Sequence, residues 1–525
     1  MTLYQIKVIS QRINLFTLFL FIIFFTACDN DKVDFVELNN EPPIATEETV
    51  NEEEQENEEE EEINERKSAF PGAFGYGGET GLDQPLKDIV YVTNLDDSGE
   101  GSFREALSGG DRYVLFKVAG TITLHSPIQI RDNNIYIAGQ TAFQNGGEGI
   151  TIRSDGVSQQ RLLSIHGDHV IMRYLRFRRG PGTAPENNGD GVVLFGNHWI
   201  IDHCSVSWST DENLSSGACT MGTVQNCIIS EGLYFSSHAK STDPAEEQYQ
   251  TGHSKGSLFG TASAAPDKVT FFQNLYAHNN ARNPKIGGAG RFEVVNNIMY
   301  NNGYLHTALS SLGLGIMETN VVKNLFIAGM DTHTNWYEIN LTGKEEHVYV
   351  QGNIGWNRTS DSDSEWALVG INREHVSEEE MSRSMTPFTT PLSSSYSELP
   401  NALDLKSTLL SHVGASIDRD AVDERIINDV YNGTPTVRYE LMGISPEWRG
   451  ADFRYGIIND PSDVGGWPEL KSMQSIIIDE DEDGMLDSWE IETFGGLSHN
   501  ANDDHNSDGW SNIEKYLEYC CKLGN

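Results

Sequence analysis

From Ile89 onward the chain breaks into short apolar runs separated by Gly, Asn and Asp. Ile89–Thr93, Tyr113–Val118, Thr121–Leu124, Ile135–Ala138, Ile150–Ile152, Leu162–Ile165 and Val170–Phe177 are rich in β-branched or aromatic residues. Each predicts a strand, and the series continues through Val192–Phe195 and Trp199–Ile201. Ser102–Leu107 predicts a short helix, and long helical periodicity is otherwise missing from this half of the chain. Many short strands without alternating helices predict an all-β fold.

A repeat narrows the architecture. Val224–Ile228, Phe272–Tyr276, Val295–Met299, Val322–Phe326 and Gln351–Gly355 each place an Asn before an apolar residue. From Asn274 the steps are 23, 27 and 29 residues. A unit of that length cannot cover its own apolar face, so the units must stack. Stacked Asn side chains can pass amide hydrogen bonds from coil to coil. The pattern predicts a parallel β-helix. Phe388–Ser395 predicts a loop, and Ala402–Tyr431 carries partial helical periodicity behind a cap at Asp418–Asp420. Segment 356–470 is expected to wrap or close the end of the solenoid, because exposed strand edges invite aggregation.

Composition adds an address. The 525 residues carry a formal charge of −42, which speaks against nucleic acid as a partner. The charge is uneven: Glu47–Glu65 alone holds twelve Glu, so a face elsewhere need not be negative. Met1–Cys28 has a basic start, the apolar run Leu15–Phe25 and small residues before Cys28, the features of an export signal. Cys28 directly after that site resembles a bacterial lipobox, which implies a lipidated cysteine and a surface anchor. Residues 29–67 form an acidic, aromatic-poor tether that cannot bury enough surface to fold. The boundaries expected are 1–28 signal, 29–67 linker, 68–470 β-helix and 471–525 a small C-terminal module. The spacing of Cys204, Cys219, Cys227, Cys520 and Cys521 matches no zinc site.

The stretch 187–212 carries the candidate chemistry. Asp190, Asp202, His203, Asp211 and Glu212 lie on or beside apolar strands, and carboxylates at strand edges suggest a hard-cation site. Asp190 and Asp211 are the first candidates as calcium ligands, with Glu212 beside them. Lys255 and Arg282 add isolated cations. Carboxylates, calcium and bases together suit β-elimination from an acidic polysaccharide, in which a cation lowers the barrier to removing the proton α to a carboxylate. Asp202 is expected to bond backbone at a coil bend.

Residues 70–468 resemble the bacterial pectate lyases of polysaccharide lyase family one. The resemblance rests on Trp199–His203, His253–Gly260 and Ala281–Lys285. It implies a right-handed parallel β-helix, calcium dependence and unsaturated oligogalacturonate products. By motif, Asp190 and Asp211 resemble calcium ligands, Arg282 the base, and Lys255 the residue that pairs with substrate carboxylate, with Lys240 a rival. Two positions depart from the family: Ser215 stands where a further acid is usual, and Gly287 where a second Arg is usual. Glu212 could compensate for the first, and Lys285 or Arg291 for the second. Two other readings stay open: a glycoside hydrolase using Asp202 and Asp211, and a non-catalytic carbohydrate-binding solenoid. A monomer is expected, touching membrane only through its lipid.

The C-terminal module carries an EF-hand-type loop. Asp479, Asp481, Asp483, Gly484, Met485 through its carbonyl, Asp487 and Glu490 hold the ligand and turn positions. Asp504, Asn506, Asp508, Gly509 and Asn512 begin a second loop whose twelfth position is Lys515. Calcium is expected there too, for stability or attachment rather than catalysis.

Overall fold

Alternation within one strand shows how the molecule is layered. In Arg112–Phe116, Val114 and Phe116 point into an interior of Ile137, Met172, Trp199, Ile201 and Val224. Tyr113 and Leu115 point the other way, into a separate outer cluster. Both faces of this strand are covered, as parallel sheets require. The computed structural model describes residues 68–81, 86–156, 161–182, 189–234, 236, 253–371, 382–433, 439–440, 453–474 and 477–523. The export signal, Cys28, the acidic tether and Lys240 lie outside them. No helix among the described residues is long and apolar enough to cross a membrane.

Successive coils stack into three long sheets. The first has 11 strands, from Asp88–Val92 to Ser382–Arg383, and the second and third have nine each. Pairing is parallel throughout the first two; in the third, Met473–Gln474 joins antiparallel at one edge. The predicted parallel β-helix is the observed fold. The expected helix is present as Phe103–Ala106, capped by Ser102.

The Asn ladder is real but begins later than the repeat suggests. The backbone N–H and side-chain amide of Asn274 donate to Asn297 Oδ1 at 2.9 and 3.0 Å. Asn297 does the same to Asn324, and Asn324 to Asn353, at 2.8–2.9 Å. Asn226 is not a member. Gln225 stands opposite Phe272, so Cys227 faces Asn274 and gives its N–H to Asn274 Oδ1 at 2.9 Å. Asn226 occupies the neighbouring bend at φ 51°, a conformation Asn tolerates well. Cys204 and Cys227 thus continue the same stacking position with small apolar side chains.

Of segment 356–470, described residues 402–430 wrap the flank of the solenoid, while Val369–Ile371 and Ser382–Arg383 add the last edge strands of two sheets. Leu405, Val413, Ile426 and Val430 pack on Ile228, Leu275 and Ile298 of the third sheet. Arg178 bridges Asp420 and Asp423 at 2.8 Å, all three fully buried, at the start of helix Ala421–Asn432. Such charges are tolerable only when paired. The C-terminal helices Asp487–Phe494 and Asn512–Cys520 cover the outer face of the first sheet. Trp489, Ile513, Tyr516 and Leu517 meet Phe70, Tyr113, Leu115 and Tyr136 there.

Asn297→Ala should strand buried donors on Asn274 and remove donors to Phe271 and Val295. We expect a loss of about 2–3 kcal/mol, read as a lower denaturant midpoint.

Candidate active face

One register row on the second sheet gathers the candidate residues. Strands Val192–Leu194, Glu212–Ser216, Lys255–Phe259 and Lys285–Gly287 are consecutive neighbours in that sheet. Glu212 stands opposite Lys255, and Lys255 bridges Ala281 on the next coil. Val192 pairs with Leu214, so Asp190, two residues earlier, falls in line with Glu212. Asp190, Glu212, Lys255 and the Ala281–Arg282 bend therefore form a single file across four coils.

Local sequence explains why the side chains reach one another. A Cβ at Gly191 would lie 2.5 Å from the Asn213 carbonyl, and one at Gly189 would lie 2.2 Å from Arg179 Nε. Glycine at both positions lets the chain carrying Asp190 pass close to its neighbours. Arg282 sits in the left-handed region at φ 67°, which turns it away from strand alternation. Hydrogen bonds fix it there: its N–H donates to Leu305 O at 3.0 Å, and its carbonyl accepts from Ser257 N at 2.7 Å.

Carboxylates are crowded at one end of the file. Burial and the nearby Asp211 push the Asp190 carboxyl up to about 7. Asp190 accepts hydrogen bonds from Ser215 Oγ at 2.6 Å and Glu212 N at 3.1 Å. Ser215, where a further acid was expected, thus serves Asp190 directly. Asp211 contacts His253 Nε2 at 2.6 Å, and Asp211, Glu212 and His253 place ligand atoms within 4.8 Å of one another. Glu212 is buried and holds the Arg282 guanidinium.

Cations dominate the other end. Lys255 is buried, and its Nζ donates to Tyr304 Oη at 3.4 Å. Burial, then Arg282 and Lys255, lower the Lys285 pKa, and burial lowers that of Arg282. Back at the acidic end, Arg179 feels the charges of Asp190 and Asp211 and donates to Thr210 Oγ1 at 3.0 Å; burial pulls its pKa down to about 10. The hard oxygens of Asp190, Asp211 and Glu212 form an acidic end suited to calcium, with a basic end able to receive an anionic chain.

Residues 68–364 match the family model described as pectate lyase. A probable pectate lyase C of Aspergillus oryzae is 32% identical over 429 residues, covering 81% of this chain and 87% of that protein. One from Emericella nidulans is 33% identical over 459 residues, covering 85% and 91%. The chain belongs to the pectate lyase family. These relatives are fungal, so they do not carry the bacterial part of the expectation. A solved pectate lyase from Bacillus sp. N165, in complex with trigalacturonate, aligns at 16% identity and TM-score 0.39 over 65% of this chain and 98% of that one.

Not every candidate joins this face. Arg291 lies on the first sheet, in Gly290–Val295, paired with Glu318 at 2.6 Å. Three residues separate the Lys285–Gly287 strand from it, enough to turn a corner of the coil onto another sheet. Arg291 is therefore not beside Lys285. Asp202 is fully buried on the first sheet, but its partners are side chains rather than backbone: Arg173 at 2.8 Å, Gln225 at 2.9 Å and Asn226 at 3.1 Å. It does not flank a groove with Asp211. His203 stacks on Tyr174 beside it.

The second C-terminal loop also departs from expectation. Lys515 Nζ lies 2.8 Å from Asp504 and 3.0 Å from Asp508, and it also contacts Asn506. Asn512 turns aside to His505 and the Asn500 carbonyl. An ammonium occupies the centre these residues were expected to offer to calcium.

Sequence reasoning missed Arg179, His253 and Tyr304. His253 opens a motif already noted, and Arg179 is half of an Arg pair in an acidic chain. Tyr304 gave no sequence signal.

Asp190→Asn should remove one of two crowded carboxylates. In chelator we expect the folded protein to gain about 1 kcal/mol, seen as a higher melting temperature, while activity falls.

Proposed function

We propose that the enzyme cleaves polygalacturonate by calcium-assisted β-elimination, releasing unsaturated oligogalacturonates. The file of Asp190, Glu212, Lys255 and Arg282 across one sheet face carries this reading. Asp190, Asp211 and Glu212 are the residues that would hold calcium. Bound there, calcium supplies positive charge against the substrate carboxylate and eases removal of the neighbouring proton.

The chain's own groups do the rest. Lys255 and Lys285 receive the uronate carboxylate and stabilise charge that develops on it. Arg282 takes the proton α to that carboxylate. The electron pair left behind forms the new double bond as the glycosidic oxygen departs. A guanidinium is a poor base in water. Burial favours its neutral form against the opposing charges of Asp211 and Asp190. Glu212 opposes this while it holds Arg282, so that contact must break before proton transfer.

A glycoside hydrolase reading needs paired acids across a groove. The remote, ion-paired Asp202 removes the pair that was available. A non-catalytic solenoid leaves the buried Lys255 and the part-buried Arg282 without a purpose. The proposal includes export as a lipid-anchored monomer, with the lipid on Cys28 and residues 29–67 as spacer.

Absorbance of unsaturated ends on a panel of acidic glycans tests the reaction. Signal on polygalacturonate that vanishes with chelator is expected; reducing ends without absorbance would show hydrolysis instead. Arg282→Ala should cost about 10²–10⁴ in rate with an unchanged circular dichroism spectrum. Rates equal to the parent would remove Arg282 as the base.

A further inference from the structure

The two C-terminal loops share a plan, and the second loses a carboxylate at three positions. Asp479, Asp481, Asp483, Gly484, Asp487 and Glu490 are matched 25 residues later by Asp504, Asn506, Asp508, Gly509, Asn512 and Lys515. Their backbones fold alike. Gly484 N donates to Asp479 Oδ2 at 3.1 Å, and Gly509 N to Asp504 Oδ2 at 2.7 Å. Met485 N and Trp510 N donate to Asp483 and Asp508, each at 3.0 Å. Glu482 and Ser507 share left-handed φ values of 58° and 55°.

The twelfth residue decides what each loop does. In the first loop, the carboxylates of Asp479, Asp481 and Asp483 lie within 4.8 Å of one another, as do those of Asp481, Asp487 and Glu490. Glu490 is 0% exposed, and neither of its oxygens has a hydrogen-bond partner. One oxygen of Asp483 is buried in the same condition. A carboxylate placed so calls for a cation. In the second loop the cation is covalently attached: the Lys515 ammonium reaches Asp504 and Asp508 and touches Asn506.

We propose that the module holds one divalent cation, in the first loop, while Lys515 permanently closes the second. The ligand class is a hard, oxygen-seeking ion of calcium type. The first loop also touches the solenoid. Tyr91 Oη bonds Asp479, and Lys117 Nζ lies 3.8 Å from the same carboxylate. The bound ion therefore braces the first coils of the β-helix. This inference stands apart from the catalytic reading and survives its failure.

Equilibrium dialysis with calcium tests it on the full chain. Asp190→Asn and Asp211→Asn are introduced first, so that the active face does not contribute to the count. One tightly bound ion is expected in this parent. Glu490→Gln should lower the count to none, Asp504→Asn should leave it unchanged, and Lys515→Glu should raise it to two. Calcium should raise the parent's melting temperature by a few degrees, and Glu490→Gln should abolish that rise. Two ions in the parent would overturn the proposal. So would an ion lost with Asp504→Asn, or a thermal rise that survives Glu490→Gln. If Lys515→Glu stays at one ion, the second loop is not held closed by its lysine.

Discussion

Parallel register between coils is the constraint on which the molecule depends. A parallel ladder fixes which residue of one coil sits over which residue of the next, and a slip of one would turn every side chain to the opposite face. The buried Asn274–Asn353 ladder locks that register from inside, because a misaligned amide would be left without a partner in a dry core. The candidate active face is a product of the same lock. Asp190, Glu212 and Lys255 are far apart in sequence, and only the stacking brings them into line.

That origin explains what could be read from the chain alone. Strand content and stacking were legible because short β-branched runs and recurring Asn residues are local signals. The starting point of the ladder was not. Asn226 mimics the repeat, yet it is displaced by one position, and only pairing with Phe272 shows that Cys227 holds the place. Arg291 misled for a similar reason: closeness to Lys285 in sequence says nothing about which side of a coil corner a residue occupies. Asp202 is legible as structural, but its partners come from two other stretches and could not be named in advance.

Electrostatic partners were the least legible part. The Glu212–Arg282 contact spans 70 residues, and His253 meets Asp211 across 42. No spacing rule links them. The lysine in the second C-terminal loop was visible as a defect in a motif. Its ability to take a metal's place depends on a side-chain path that only the folded loop reveals. The contrast between acidic and basic ends of the active face is likewise hidden in a sequence whose net charge is so negative.

Residues 485–520 pack over the first coils. During synthesis, Tyr113, Leu115 and Tyr136 emerge long before Trp489 and Tyr516, which will shield them. The early part of the solenoid must therefore wait, with a greasy flank open to solvent, until those later residues are made. A ribosome that stalls short of Trp489, or a protease that cuts between the solenoid and residues 485–520, would leave that flank bare.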